Sequence, residues 1–138
     1  MLKSKKLFFI LLLILSVCIA SIPTYASEKT TSPRYTTLTD CSFSFLASNG
    51  IGYATVIYNS SQSTFTKATV NIKVQKRLLL VFWTDVDEWT TSSNQPNGNF
   101  YNNFTLKDSG TYRATFTLTI TSANGLEDVV TQTIESAY

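Results

Sequence analysis

The sequence predicts an all-β protein, a single domain of seven antiparallel strands in two packed sheets. From residue 35 onward, apolar and polar residues alternate with a period of two, as in 68–74 and 114–120, which is typical of half-buried strands. Turn residues separate these runs at short intervals. No segment beyond residue 26 has the 3.6-residue period of a helix. Together these observations favour a two-sheet β-sandwich.

The N-terminus has the three parts of a secretory signal peptide. Three lysines precede an apolar run over 7–20, and Thr24 and Ala26 place small residues before a cleavage point. We therefore expect a signal helix over 1–26, cleavage after Ala26, and a secreted, extracellular protein. A membrane anchor is less favoured because the run is shorter than the about 20 residues of a span. Cleavage after Ala20 and lipid attachment at Cys18 are further alternatives.

Charge argues against a nucleic-acid partner. The chain has 11 basic and 9 acidic groups, and three of the basic groups belong to the signal peptide. Its removal leaves eight basic and nine acidic groups, a net charge of −1. Nucleic-acid binding needs a basic surface, and anionic lipid would attract such a chain little. Residues 27–34 are polar and read as a flexible leader, and 35–138 form one domain.

The predicted strands follow the alternation and the turn residues. Asn49-Gly50 and Asn124-Gly125 supply the positive φ angles of type I′ hairpins. Pro96-Asn97-Gly98 indicates a third turn, and the polar stretch 59–64 a longer loop. The strands are expected at 35–47, 51–58, 67–76, 79–90, 100–106, 111–121 and 126–135.

Cysteine usage predicts no intrachain disulfide. Cys18 leaves with the signal peptide, so Cys41 stands alone in the domain. It alternates in register with Phe43 and Phe45, which favours a small apolar core residue. Pairing between two chains is the alternative.

One short motif refines the fold. Asp108, Gly110 and Tyr112 form an Asp-x-Gly-x-Tyr step before a late strand, which resembles the corner before strand F of immunoglobulin-like domains. In that family the tyrosine hydroxyl bonds the backbone a few residues upstream. The resemblance implies an immunoglobulin-like or fibronectin type III-like sandwich. Ala114 stands where antibody domains have a cysteine, so their inter-sheet disulfide is absent.

A longer pattern extends from Val74 to Arg113. Val74-Gln75-Lys76, then Trp83, Val86 and Trp89, then Gly110-Thr111-Tyr112-Arg113, resembles small exported proteins of Gram-positive bacteria with the pattern V-x-L-Q-K … W-x-x-V-x-x-W … G-x-Y-R. The resemblance implies an exported bacterial protein of unknown function. Where that pattern leads us to expect a polar Gly/Ser hairpin, this chain has an apolar stretch at 78–82.

Composition argues against catalysis. The chain has no histidine, which removes the usual imidazole base and the common zinc sites. We predict no catalytic residue, no metal site and no cofactor. Asp85 and Asp87, expected on one side of a strand with Glu88 beside them, offer two alternatives, a carboxylate-based hydrolase or a calcium site. A charge cluster that protects a sheet edge is favoured.

Aromatic residues suggest one binding surface. Trp83 and Trp89 are six residues apart and would share a face of an unbroken strand. With Tyr101 they could form a platform for a glycan. Core packing of one or both tryptophans is favoured.

A run of five large apolar residues occupies a position where a turn is expected. A strand buried on both faces is the favoured interpretation. The alternative is an exposed hairpin tip that inserts into a partner or a membrane. The residues are Leu78, Leu79, Leu80, Val81 and Phe82.

The sequence therefore favours a secreted, non-catalytic binding module whose partner is an extracellular protein or a glycan. This step from fold to function is by analogy with other sandwich domains. Membrane contact is less favoured, and the alternative function is a membrane-active or toxin-like protein that uses the apolar stretch. A carboxylate-based hydrolase is the third hypothesis.

Overall fold

The computed structural model describes residues 35–138; the expected signal peptide and leader at 1–34 lie outside the described residues. The described chain is all β, and none of it forms a helix able to cross a membrane. Its seven strands are β1 (Leu38–Ser48), β2 (Ile51–Ser60), β3 (Phe65–Leu78), β4 (Phe82–Ser93), β5 (Asn97–Thr105), β6 (Thr111–Ser122) and β7 (Glu127–Ala137).

The strands form two antiparallel sheets, which confirms the predicted seven-strand sandwich. One sheet has the order β1-β2-β5 and the other the order β4-β3-β6-β7. The architecture is consistent with an immunoglobulin-like fold. Because β4 joins the sheet of β3, β6 and β7, the connection from β4 to β5 passes from one sheet to the other.

The core lies between the sheets and follows the period of two. In β3 and β6 alternate residues are fully buried, because both strands are central in the larger sheet. Each buried Val, Leu, Ile or Phe side chain contributes about 1.5–3 kcal/mol to stability. The buried residues of these two strands are Ala68, Val70, Ile72, Val74, Tyr112, Ala114, Phe116, Leu118 and Ile120.

The two long sides of the sandwich differ. On one side β1 packs beside β7. On the other side β4 and β5 are the outermost strands of their sheets and do not pair with each other. There the rings of Trp89 and Phe104 meet across the gap, 5.4 Å apart between centroids. We call the gap between β4 and β5 the open side.

The Asn-Gly turns behave differently from each other. Asn49 and Gly50 both have positive φ, 52° and 74°, and join β1 to β2 as the predicted two-residue hairpin. The same prediction for Asn124-Gly125 is wrong, because only Gly125 has a positive φ there. Asn124 instead uses its side-chain oxygen to accept hydrogen bonds from the Ser122 hydroxyl and, at 3.2 Å, from the Leu126 amide.

The tyrosine corner joins the β5–β6 loop to β6. The hydroxyl of Tyr112 donates a hydrogen bond of 2.6 Å to the carbonyl oxygen of Asp108, the kind of backbone contact that the Asp-x-Gly-x-Tyr motif predicted. Tyr112 is 1% exposed, and Gly110 has a φ of 146°, which favours glycine. The corner fixes where the chain enters the larger sheet.

A buried carboxylate that the sequence analysis did not single out holds the start of the domain. Asp128 on β7 accepts hydrogen bonds from the backbone amides of Thr36, Thr37 and Leu38, at 2.7–3.1 Å. Burial alone would raise the pKa of Asp128, but these hydrogen bonds outweigh it and lower the pKa below its ordinary value. The ionised carboxylate therefore ties β1 to β7 at the end opposite to the β3–β4 turn.

Candidate functional site

The β3–β4 hairpin projects from one end of the larger sheet. Lys76 is the last residue of β3 that pairs with β6, whereas Arg77 and Leu78 pair with β4 alone. Leu78 pairs with Phe82, and a three-residue turn joins them. We call residues 78–82 the apolar tip.

The apolar tip is exposed, so the favoured interpretation of a strand buried on both faces is wrong. Leu79 is 83% exposed and Leu80 is 91% exposed. Leu78, Val81 and Phe82 are also exposed. The reason is topological: a strand buried on both faces needs neighbours in the sheet, and beyond Lys76 the hairpin has lost β6.

The backbone of the apolar tip is strained. Leu79 has a φ of 55°, in the left-handed region that glycine and asparagine occupy at least cost. For other residues this conformation costs on the order of 1–2 kcal/mol. A polar, turn-forming residue at position 79 would adopt this conformation at a lower cost in free energy. It would also not expose a large apolar side chain.

Directly behind the apolar tip lies a stack of one tryptophan and two arginines. Trp83 pairs with Arg77 across the hairpin. The guanidinium carbons of Arg77 and Arg113 lie 4.8 Å and 4.2 Å from the centroid of the Trp83 ring. Such contacts stabilise by about 0.5–2 kcal/mol each, and they hold the indole on the outer face of the sheet.

Two of the three basic residues near the apolar tip form ion pairs, and the third, Arg113, donates a hydrogen bond of 2.8 Å to the neutral side chain of Gln75. Arg77 forms an ion pair of 2.7 Å with Glu135, and Lys76 one of 3.0 Å with Asp108. Hydrogen bonding to Asp108 raises the pKa of Lys76, so the pair stays ionised at neutral pH. The apolar tip is therefore backed by polar groups of both signs and not by a basic patch.

A bulge in β4 separates the two tryptophans. The ladder passes from Val74–Asp87 to Gln75–Asp85, which leaves Val86 as an extra residue. Trp89 therefore faces inward beside Ile72, whereas Trp83 faces outward. A shared face was expected only for an unbroken strand, and the bulge interrupts β4, since an added residue reverses the alternation of a strand. Trp89 packs against the core, in line with the favoured interpretation that one or both tryptophans do so.

The same bulge separates the carboxylates. Asp85 lies on the outer face and binds Lys73 at 2.8 Å and Gln75 at 2.6 Å, whereas Asp87 is opposite the inward-facing Val74. The predicted placement of Asp85 and Asp87 on one side of the strand is wrong. Hydrogen bonds from Lys73 and Gln75 lower the pKa of Asp85.

Within residues 35–138, no three His, Cys, Asp or Glu side chains lie close enough together to hold a metal ion.

Cys41 lies in β1 and packs against the core, in register with Phe43 and Phe45. Burial, together with the nearby Asp40, raises the pKa of its thiol. At neutral pH the protonated thiol is a poor nucleophile.

A groove of about 390 Å³ follows the open side. Trp89 and Tyr101, two of the three residues of the predicted aromatic platform, both line this groove, and Trp83 does not. Thr91, Asn99, Phe100 and Asn102 line it as well, with Ile72 at its base. The two asparagines were not predicted from the sequence, although Asn102 interrupts the apolar alternation between Phe100 and Phe104.

Comparisons with known proteins do not assign this chain to a family. No protein-family model matches it, and a search of curated proteins also finds no match. Among solved structures it is similar to a family 76 glycoside hydrolase from a bovine Bacteroides thetaiotaomicron strain, with 15% identity and a TM-score of 0.39. The match covers 73% of this chain and 20% of that one, so this chain spans about a fifth of that protein's length. This similarity neither assigns nor excludes catalysis.

Proposed function

We propose that this protein is a secreted, non-catalytic interaction module that attaches to the interface of a lipid bilayer through the apolar tip. The observation that carries the proposal is the near-complete exposure of Leu79 and Leu80 in a strained turn. Exposed apolar patches of this kind are typical of interaction surfaces. A protein with an apolar cleft is the alternative acceptor.

The apolar tip has the dimensions of an interfacial anchor. Leu80 precedes Trp83 by three positions, and an extended strand rises about 3.3 Å per residue. With the Trp83 indole at the depth of the lipid headgroups, Leu80 would therefore lie at most about 10 Å deeper, because part of this segment is the turn. Interfacial apolar segments insert about 5–10 Å, and tryptophan is enriched at this boundary.

The energy of insertion fits a reversible attachment. Burial of each apolar side chain contributes about 1.5–3 kcal/mol, so five partly exposed ones contribute on the order of 5–10 kcal/mol. A single myristoyl chain binds membranes in this range. Because Arg77 and Lys76 are paired with acidic groups, we expect little preference for anionic lipid and little effect of salt.

The non-catalytic part of the proposal rests on chemistry. The chain has no histidine, and Asp85 and Asp87 face opposite sides of the sheet. Asp85 is also occupied by Lys73 and Gln75. A hydrolase that uses this carboxylate pair is therefore disfavoured.

The test compares Leu80→Asp with Leu126→Asp in flotation with phosphatidylcholine vesicles. Leu126 is 54% exposed and lies in the β6–β7 turn at the opposite end of the sandwich, so it is a matched control. We expect the wild type and Leu126→Asp to float with the vesicles and Leu80→Asp to stay in solution, with all three melting temperatures alike.

Two results would contradict the proposal. If the wild type does not bind vesicles but retains a protein from culture medium in a manner that depends on Leu80, the acceptor is a protein cleft. If Leu80→Asp lowers the melting temperature by many degrees, the apolar tip is part of the core and has no role in attachment.

A further inference from the structure

The groove on the open side has a chemistry that differs from that of the apolar tip. Its base is the buried Ile72, and the half-buried rings of Trp89 and Phe100 form its walls. The ring of Phe100 stacks on Tyr58 at 5.5 Å between centroids. The Tyr58 hydroxyl donates a hydrogen bond of 2.8 Å to the carbonyl oxygen of Gln95 in the β4–β5 connection. Tyr58 therefore holds the Phe100 ring of the groove in place.

Two polar side chains occupy inward-facing positions where the period of the strands calls for core residues. Asn102 pairs with the buried Ala54, and Thr91 pairs with the buried Val70. Neither the amide of Asn102 nor the hydroxyl of Thr91 has a hydrogen-bond partner within residues 35–138. An amide offers two donors and an acceptor. Both groups line the groove and are available to a ligand.

The outer lip of the groove adds a second aromatic ring and a second amide. Tyr101 is 57% exposed, and Asn99 is exposed beside it. Residues two apart on a strand lie on the same face, so Asn99 and Tyr101 both face outward from β5. Trp89, from the opposite sheet, and Tyr101 thus both border one opening.

The lining has no carboxylate, ammonium or guanidinium group. A ligand that fits it is uncharged, has an apolar face for the rings, and carries several hydroxyl groups for the amides and for Thr91. Pyranose sugars have this combination. The groove volume of about 390 Å³ is near the lower end of small-molecule sites, which suits a short segment of a glycan.

We propose that the groove on the open side is a binding site for neutral pyranoside units of a glycan. The sugar face packs on the rings of Trp89 and Tyr101, and its hydroxyl groups exchange hydrogen bonds with Asn99, Asn102 and Thr91. This site is separate from the apolar tip and does not depend on it. The protein therefore has two attachment surfaces of different chemistry.

The two tryptophans allow a direct test. In a Trp83→Phe variant, Trp89 is the single remaining indole and reports on the groove. We expect saturable changes in its fluorescence on titration with cellotriose or chitotriose. In this background Tyr101→Ala and Thr91→Val should each weaken binding by about tenfold, which corresponds to about 1.4 kcal/mol. Thr91→Val keeps the shape of the side chain and removes the hydroxyl.

A matched control distinguishes the groove from the rest of the sheet surface. Tyr53 lies on the outer face of the same sheet, in the neighbouring strand β2 and outside the groove. Tyr53→Ala should bind the sugars as the parent does, and so should Leu80→Asp.

Absence of any fluorescence change with both sugars would overturn the proposal, as would equal weakening by Tyr53→Ala. Loss of sugar binding in Leu80→Asp would show that the two sites are not separate. Sugar binding by a protein that does not float with vesicles would leave the glycan site standing and remove the lipid proposal.

Discussion

Trp83 and Trp89 lie on one strand, six residues apart, and face opposite sides of the larger sheet because Val86 forms a bulge between them. Trp83 lies behind the apolar tip, in contact with Arg77 and Arg113, whereas Trp89 lines the groove on the open side. A single extra residue in β4 thus gives each tryptophan to a different surface.

Replacement of Leu79 by asparagine should separate stability from attachment. Asparagine tolerates the left-handed conformation of this position, so we expect Leu79→Asn to raise the free energy of unfolding by about 0.5–1 kcal/mol. It should also weaken vesicle binding, since an apolar side chain is lost. Denaturant midpoints measure the first effect and flotation the second.

Leu80→Asn is the matched control for that variant. Leu80 is exposed like Leu79 but does not have a positive φ. It should lose vesicle binding without any gain in stability. Equal denaturant midpoints for Leu79→Asn and the wild type would show that the turn is not strained.

Removal of the corner hydroxyl should destabilise the domain. Tyr112→Phe deletes the hydrogen bond to the carbonyl oxygen of Asp108, and we expect a loss of about 0.5–1.5 kcal/mol in the free energy of unfolding. The circular dichroism spectrum should stay that of a β-sandwich. Tyr101→Phe, at an exposed position, should have no effect, and coincident midpoints for the wild type and Tyr112→Phe would refute the role of the corner.

The clamp formed by Asp128 should make stability depend on pH. The pKa of this carboxyl group is lowered in the folded state, so the unfolded chain binds a proton at higher pH than the folded one does. Its contribution is fully present above the ordinary pKa of aspartate and is lost as the pH falls through the lowered folded pKa.

Asp128→Asn removes this dependence and the charge-assisted hydrogen bonds. We expect it to lower the free energy of unfolding at neutral pH by about 1.5–3 kcal/mol and to reduce the loss of stability in acid. Glu127→Gln, at the exposed neighbouring position, is the control and should follow the wild type. Parallel pH profiles for Asp128→Asn and the wild type would exclude the clamp.

Export should remove the first 26 residues. The positive charges, the apolar run and the small residues Thr24 and Ala26 predict that the exported protein begins at Ser27. Mass spectrometry of intact protein from culture medium measures this directly. Exported material that still carries residues 1–20 would contradict the prediction.

Local sequence determined the strands and most of the alternation between buried and exposed positions along them. The period of two in β3 and β6 marks inward and outward positions because successive side chains of a strand point to opposite faces. The Asn49-Gly50 hairpin and the corner at Tyr112 were also predictable, because their backbone needs are met by specific neighbouring residues.

The tertiary structure decided which residues are exposed and which of them lie side by side. The five apolar residues of the tip could belong to a buried strand or to an exposed turn, because burial depends on which strand lies alongside, and here β6 does not extend past Lys76. The bulge at Val86 has no clear local signal, yet it moves Trp83 to the outer face and leaves Trp89 at the groove. Asp128 finds its hydrogen-bond partners in a segment distant in sequence. Asn102 lines a groove whose other wall comes from distant strands. Short-range alternation fixes which residues form a strand, but only the packing of the strands decides which of them are buried and which remain exposed.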